Sequence, residues 1–472
     1  MNAPSIPPLP AQRVDATGRV HVNMGEILRL AAPLMVTNAV QSLLNLTDLW
    51  FIGRLSTDAV AAMGAIYWIL SCAVLLFGGV GNAVQTFVAQ AYGSRRKAHA
   101  SRALWNSLWS TLAISPLFLA LAFAGPWLLH PFGLDPHVEA LALEYWKPRM
   151  AGAFVGSMGW AAMGFFNGIS AVRYTMLVVV VTTLTNAIAN QVFMFELGMG
   201  MKGSAWGTNF AQCVGLSLAL LLFLRGRIGR DFRAALMWRP RWQVICAMLV
   251  VGLPIGVMYG ADVLGLALSQ MMIAQTSPVG AAATQIVMAL TSMAYMPTIG
   301  IALAGTTLVG QSIGAGSRDW ANVLGNRVIM LCVALMACVA VLLIVVGPWV
   351  LPLFVSSGGP QAAEVVALGL VLLWPAAAYQ IFDGFYCGAG FCLRGAGDTR
   401  VPAATALVLS WFFFVPLAHT LIFVPGQGWI DGLPQYGLGA RGGWLALMTY
   451  VILLGSAMFW RWRHGAWRRV IL

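Results

Sequence analysis

The sequence predicts an all-α integral membrane protein whose twelve transmembrane helices form two pseudo-symmetric six-helix lobes. Three observations carry the prediction. Of the 472 residues, 60% are hydrophobic and only 9% are charged. The apolar residues fall into twelve stretches long enough to cross a bilayer. The first half of the chain also recurs, largely in register, in the second.

Composition selects the solvent. A soluble domain carries about 25% charged residues, and a chain with so few, at a mean hydropathy of +0.80, cannot cover its surface with polar groups in water. The net charge of +12 does not call for a nucleic-acid partner, because the basic residues are spread along short loops. Cys72, Cys213, Cys246, Cys332, Cys338, Cys387 and Cys392 all fall in apolar segments without a CxxC pair. They are expected to be buried thiols, with no disulfide and no zinc. Residues 1–25 are rich in proline and polar groups and lack the apolar core of a cleavable signal. A short flexible cytoplasmic tail is expected there.

A spanning helix needs roughly 20 mainly apolar residues. Spans are predicted near 27–52, 59–92, 101–130, 138–169, 175–196, 204–224, 243–275, 280–313, 321–354, 362–392, 401–424 and 443–460. The longer ones must tilt, bend or project beyond the lipid. With the N-terminus inside, 22 of the 27 Lys and Arg residues fall on the cytoplasmic side, as the positive-inside rule requires. Arg54, Lys202 and Arg441 lie in external loops; Lys147 and Arg149 sit in the outer half of span four, within snorkelling reach of the interface. An odd number of spans would destroy this asymmetry, so both termini are expected in the cytoplasm. The chain then divides into a tail (1–25), an N-lobe (26–225), a cytoplasmic inter-lobe loop (226–242), a C-lobe (243–460) and a second tail (461–472).

Sliding the sequence on itself by 221 positions places Pro33 on Pro254, Thr86 on Thr307, Val88 on Val309, Gln90 on Gln311 and Gly93 on Gly314. Later the offset grows to 239, where GMGMKG (198–203) recurs as GLGARG (437–442). Six spans per half gives both halves one orientation, a parallel repeat whose two bundles enclose a cavity between them. GMGMKG also fits the GxGxxG nucleotide fingerprint, but it joins two spans rather than a strand and a helix, which removes its meaning. The chain has no GxxxxGK[ST] loop for ATP, so the energy source implied is an ion gradient.

An ionisable side chain inside a span is costly and is a functional candidate by default. Three carboxylates qualify: Asp48 in span one, Asp262 in span seven and Asp383 in span ten. Burial in low dielectric favours the neutral form of a carboxyl, so unpaired acids invite a proton or a metal cation. Asp262 and Asp383 are candidates for a metal cation or a proton, and Asp48 a candidate for Na⁺ or a proton. Asn186 and Asn190, four apart in span five, and Thr208 in span six offer amide and hydroxyl oxygens that suit the same ion. The competing reading makes these polar groups interhelical hydrogen-bond glue. Pro33 and Pro254 interrupt helix hydrogen bonding and are candidate hinges as well as candidate static kinks.

TDLWFIGRL (47–55) after Pro33, VAQAYG and VGQSIGAG at matching places, GLPI followed by Asp262, and LRGAGDTR (393–400) together resemble the multidrug and toxic compound extrusion (MATE) transporters over roughly 27–460. The resemblance implies a V of two six-helix lobes that exports cationic, amphipathic drugs and dyes in exchange for Na⁺ or H⁺. It implies that Asp48 couples the ion, with Asn186 and Thr208 as its polar partners. Asn190 stands where many members carry a second Asp, which weakens an N-lobe cation site. Asp262 and Asp383 match the acids of the Na⁺ site proposed for one branch, which this chain approaches more closely. The expected setting is the bacterial inner membrane, with the protein a monomer needing no cofactor beyond the coupling ion. The alternative is a flippase for lipid or polysaccharide precursors, which should line its cavity with Arg and Lys. A membrane enzyme is disfavoured because the six histidines are scattered, with no HExxH.

Overall fold

In a computed structural model, residues 9–15, 19–130, 135–354 and 361–470 are described. The first lobe contains α1 (Met24–Gly53), α2 (Thr57–Gly93), α3 (Lys97–Leu129), α4 (Pro136–Gly168), α5 (Val172–Asn190) and α6 (Gly200–Leu224). After a short α7 (Gly226–Asp231), the second lobe contains α8 (Trp242–Thr276), α9 (Pro278–Gly314), α10 (Arg318–Val350) and α11 (Ala362–Ala396). Its eleventh span is α12 (Arg400–Val408), a π turn (Leu409–Phe414) and α13 (Val415–Ile422); α14 (Gly439–His464) is the last. Eleven of the twelve units are long and apolar enough to cross a membrane by composition alone. The exception is α4, whose first turns carry Glu139, Glu144, Lys147 and Arg149. Side chains such as Trp127 (84% exposed) and Phe412 (79%) stand out from the bundle, which suits a lipid surround.

The repeat is visible in local structure. Ser56 caps α2 by accepting from the Ala59 amide at 3.0 Å, and Ser277, 221 residues on, caps α9 by accepting from Gly280 at 3.1 Å. A π turn ends the fifth span (Gln191–Glu196) and another interrupts the eleventh. The two GxG turns match as well. Gly198 and Gly200 adopt φ of +62° and +57°, and Gly437 and Gly439 adopt +70° and +56°, a conformation that a Cβ would strain.

Each lobe lends a helix to the other. Ile27, Leu30, Ala31 and Leu34 of α1 belong to the same buried cluster as Ile301, Ala304 and Leu308 of α9, while Val251 and Ile255 of α8 pack on Ala83 of α2. Glycines set the distance. A Cβ on Gly79 would lie 2.6 Å from the Gly256 Cα, and one on the repeat-related Gly300 would lie 2.6 Å from the Met35 Cα. Pro33 and Pro254 lie inside uninterrupted helices beside these contacts.

The expected loose ends are docked instead. Gln12–Val14 and Val20–Val22 pair as a small antiparallel hairpin, Ala11 is buried, and the Trp320 indole donates to the Pro10 carbonyl at 2.8 Å. This corrects the flexible tail expected for 1–25, of which residues 1–8 and 16–18 lie outside the described set. The inter-lobe loop is strapped along α3: Ser101 donates to the Phe232 carbonyl (2.8 Å), Trp105 to Ala234 (2.8 Å) and Trp109 to Trp238 (2.7 Å). The last helix runs into the second tail. Helix α14 continues to His464, Trp462 and Trp467 stack 4.5 Å apart, and Arg468 donates to Asp319 at 2.9 Å. Both terminal segments therefore meet at the start of α10, on one face of the bundle, called here the terminal face. Not all the cysteines are buried as expected: Cys213 and Cys338 are exposed on the bundle surface.

Candidate functional site

At the terminal face the lobes are joined by a polar latch that obeys the repeat. The Gln90 amide of α2 donates to the Gly395 carbonyl of α11 (3.0 Å), and Gln311 of α9 donates to Gly168 of α4 (2.8 Å) and to the Ser170 hydroxyl (2.9 Å). Thr86 donates to the Arg394 carbonyl (2.9 Å), and its counterpart Thr307 donates to the Asn167 carbonyl (3.0 Å). Gln85 adds donations to the Leu303 carbonyl and the Thr307 hydroxyl. Toward the other face, the last hydrogen bond between lobe helices among the described residues is the weak Cys72 thiol contact with the Gly260 carbonyl. The hydrogen bonds between the lobes are thus concentrated on the terminal side.

Within the first lobe, Asp48 is buried at 6% exposure. Asn190 donates to its Oδ1 at 2.6 Å and Thr208 to its Oδ2 at 3.1 Å. Asn186 donates to the Thr208 hydroxyl at 3.2 Å and accepts from Asn190 at 3.4 Å. The spacing explains the gathering: Asn186 and Asn190 share one face of α5, which packs on α6 where Thr208 sits. The Asn190 Oδ1 has no hydrogen-bond partner, so an acceptor oxygen stands beside the carboxylate. Arg149 does not snorkel. It is 9% exposed and donates to Asn209 (3.3 Å) and Gln212 (3.4 Å).

In the second lobe, the Tyr386 hydroxyl donates to Asp262 Oδ2 at 2.8 Å, and the Tyr450 hydroxyl makes a short bond to Oδ1. Asp383 lies one turn before Tyr386 on α11 and is close enough to Asp262 for the two charges to interact. Two carboxylates held in such a space repel one another. Among the described residues, none of Asp48, Asp262 and Asp383 forms an ion pair. The predicted site residues therefore fall into two separate groups, one per lobe. Tyr386 and Tyr450 escaped the sequence reading because a tyrosine in a span is usually just an apolar ring with a polar tip. The latch residues had a signal in the repeat, where Thr86, Gln90 and their mates keep polar side chains at the 221 offset.

These features define a class: a polytopic membrane transporter built from two repeated lobes, with one buried carboxylate in the first and a pair in the second. Comparison with known proteins gives the particular family. The MatE family model matches residues 33–192 and again 254–420, one match per lobe, and the chain belongs to the MatE family. Its relatives include the probable multidrug resistance protein NorM of Burkholderia pseudomallei, 30% identical over 452 residues and 92% of each chain. The protein of the same name from Mesorhizobium japonicum is 28% identical over 474 residues, 95% of this chain and 96% of that one. Among solved structures, an outward-facing multidrug resistance MATE family transporter superposes with a TM-score of 0.80 at 20% identity, covering 94% of this chain and 96% of the other. That likeness shows the two-lobed V-shaped fold.

Proposed function

We propose that this protein is a secondary active multidrug exporter of the bacterial inner membrane, exchanging cationic amphipathic drugs and dyes for Na⁺ or H⁺. The observation that carries the reading is negative charge held within spanning helices without an ion pair among the described residues; Arg149 lies near enough to Asp48 for the two charges to interact but gives its hydrogen bonds to Asn209 and Gln212. Asp48 is held only by neutral donors from Asn190 and Thr208, and Asp262 only by two tyrosine hydroxyls. Such groups are completed by a mobile cation.

In this mechanism the basic terminal face is the cytoplasmic one. The latched state presents its cavity outward, where an entering cation neutralises Asp48 or the Asp262–Asp383 pair. The rearrangement is assigned to Pro33 in α1 or to Pro254 in α8, a reading supported by the place of both prolines beside inter-lobe contacts. The drug loses its carboxylate partner and leaves. Release of the ion to the cytoplasm restores the charge and the affinity for the next drug. Each univalent ion supplies its concentration gradient plus about 2.3 kcal/mol per 100 mV of membrane potential. A flippase for acidic headgroups would want several basic residues along its path; the deep inter-lobe cavity is lined by a single arginine among amides, and the wider space at the terminal face adds Arg29 and Arg173 beside Glu26.

The test is ethidium efflux from proteoliposomes with Na⁺ and pH gradients imposed separately. Wild-type protein should respond to at least one gradient, and Asp48→Asn or the Asp262→Asn/Asp383→Asn pair should lose that response. Wild-type rates in all these variants would end the exchange mechanism.

A further inference from the structure

The cavity between the lobes has a polarity opposite to that of the buried carboxylates. It encloses about 180 Å³ between α1, α2, α4, α5, α8, α9 and α11, and its polar lining includes Asn38, Gln41, Asn82, Gln85 and Arg394. No carboxylate lines it among the described residues. Arg394 is 5% exposed. Its guanidinium donates to the Asn82 carbonyl, reaches the Tyr259 hydroxyl at 3.5 Å and lies 5.4 Å from the Phe391 ring centroid. Its Nε has no partner. The acid four residues on, Asp398, is held by Arg461 at 2.9 Å. A buried guanidinium left without an anion is costly, and its five N–H groups exceed the acceptors present.

The backbone part that Arg394 plays in the latch does not account for its charge. The repeat-related slot holds Asn167. Its backbone carbonyl accepts from Thr307 as that of Arg394 accepts from Thr86, and the following Gly168 accepts from Gln311 as Gly395 accepts from Gln90. A neutral side chain serves that half of the latch, so the latch itself does not require an arginine.

We propose that Arg394 is a substrate-recognition residue that grips a carboxylate, so that the inter-lobe cavity accepts the acid-bearing end of zwitterionic amphiphiles. The inference deepens the export reading and rests on it for the substrate's positive end. A drug-sized site spans roughly 300–1,000 Å³, so this space takes one end of such a molecule. The guanidinium suits a planar carboxylate because it presents paired donors in one plane.

The experiment measures equilibrium binding of ciprofloxacin and its ethyl ester to the full-length protein in nanodiscs, without any gradient. The two compounds share a cationic amine and differ in the acid. Wild-type protein should bind the acid about tenfold more tightly than the ester. Arg394→Gln should erase that preference, and Arg394→Lys should keep part of it. Equal binding of acid and ester by wild-type protein overturns the proposal, and so does a preference that survives in Arg394→Gln. The wild-type comparison decides even if the glutamine variant fails to fold. Ethidium has no acid group, so its efflux separates the two readings. Ethidium export with equal acid and ester binding removes the Arg394 subsite alone, whereas acid preference without export removes the exporter reading alone.

Discussion

Replacing Gln90 and Gln311 with leucine should loosen the terminal-face closure by an amount that the hydrogen bonds themselves set. Gln90 contributes one inter-lobe bond, to Gly395, and Gln311 contributes two, to Gly168 and Ser170. At a net value of about 1 kcal/mol per bond, Gln90→Leu costs about 1 kcal/mol and Gln311→Leu about 2 kcal/mol. The two residues flank one helix crossing, where Gly310 and Gly314 lie against the Gln90 backbone, so their effects are coupled rather than strictly additive. The double variant favours opening by about 2 to 3 kcal/mol, roughly thirtyfold to a hundredfold in the closed-to-open ratio. Hydrogen–deuterium exchange in nanodiscs reads this directly, through backbone amides in peptides covering 163–175 and 390–400. Exchange should rise in the order Gln90→Leu, Gln311→Leu, double variant. Equal effects of the two single changes, or no increase in the double variant, would refute the latch as the element that holds the lobes closed.

Two further outcomes follow from the geometry. Tyr386→Phe and Tyr450→Phe each remove a donor to Asp262 while keeping the ring, so a mobile cation meets less competition for the carboxylate. If the second lobe carries the ion, its apparent affinity in a transport assay should rise about tenfold per hydroxyl, and unchanged ion dependence would exclude that lobe. Gly256→Val places a branched side chain against the Leu76 carbonyl of α2, and overpacking of this kind costs about 2 kcal/mol. The thermal unfolding midpoint of the purified protein should fall, whereas an unchanged midpoint would mean that α2 and α8 are not in close contact.

Much of the architecture was legible because lipid leaves a chain few options. Backbone groups in a bilayer must be satisfied within a helix, so hydropathy alone located the twelve spans to within a few residues. The repeat read from the sequence reappears in the structure as the paired caps at Ser56 and Ser277 and the matched left-handed glycines. The order in the N-terminal tail was missed for the complementary reason. A proline-rich polar segment carries no signal for a docking partner, and Trp320, which receives Pro10, is 310 positions away. Arg149 was misplaced because charge near a span end ordinarily reaches water, whereas Asn209 and Gln212 of α6 supply it with acceptors inside the lobe.

By itself the sequence determined solvent, span number, the twofold repeat and the identity of the acids, since each follows from the cost of placing polar groups in hydrocarbon. Only the tertiary structure decided which groups meet. It put Asn190 and Thr208 on Asp48, gave Asp262 two tyrosines from α11 and α14, and set a lone guanidinium in the space between the lobes. Those meetings depend on helices remote in sequence crossing at glycine-lined contacts, and no local pattern encodes where two such helices will touch.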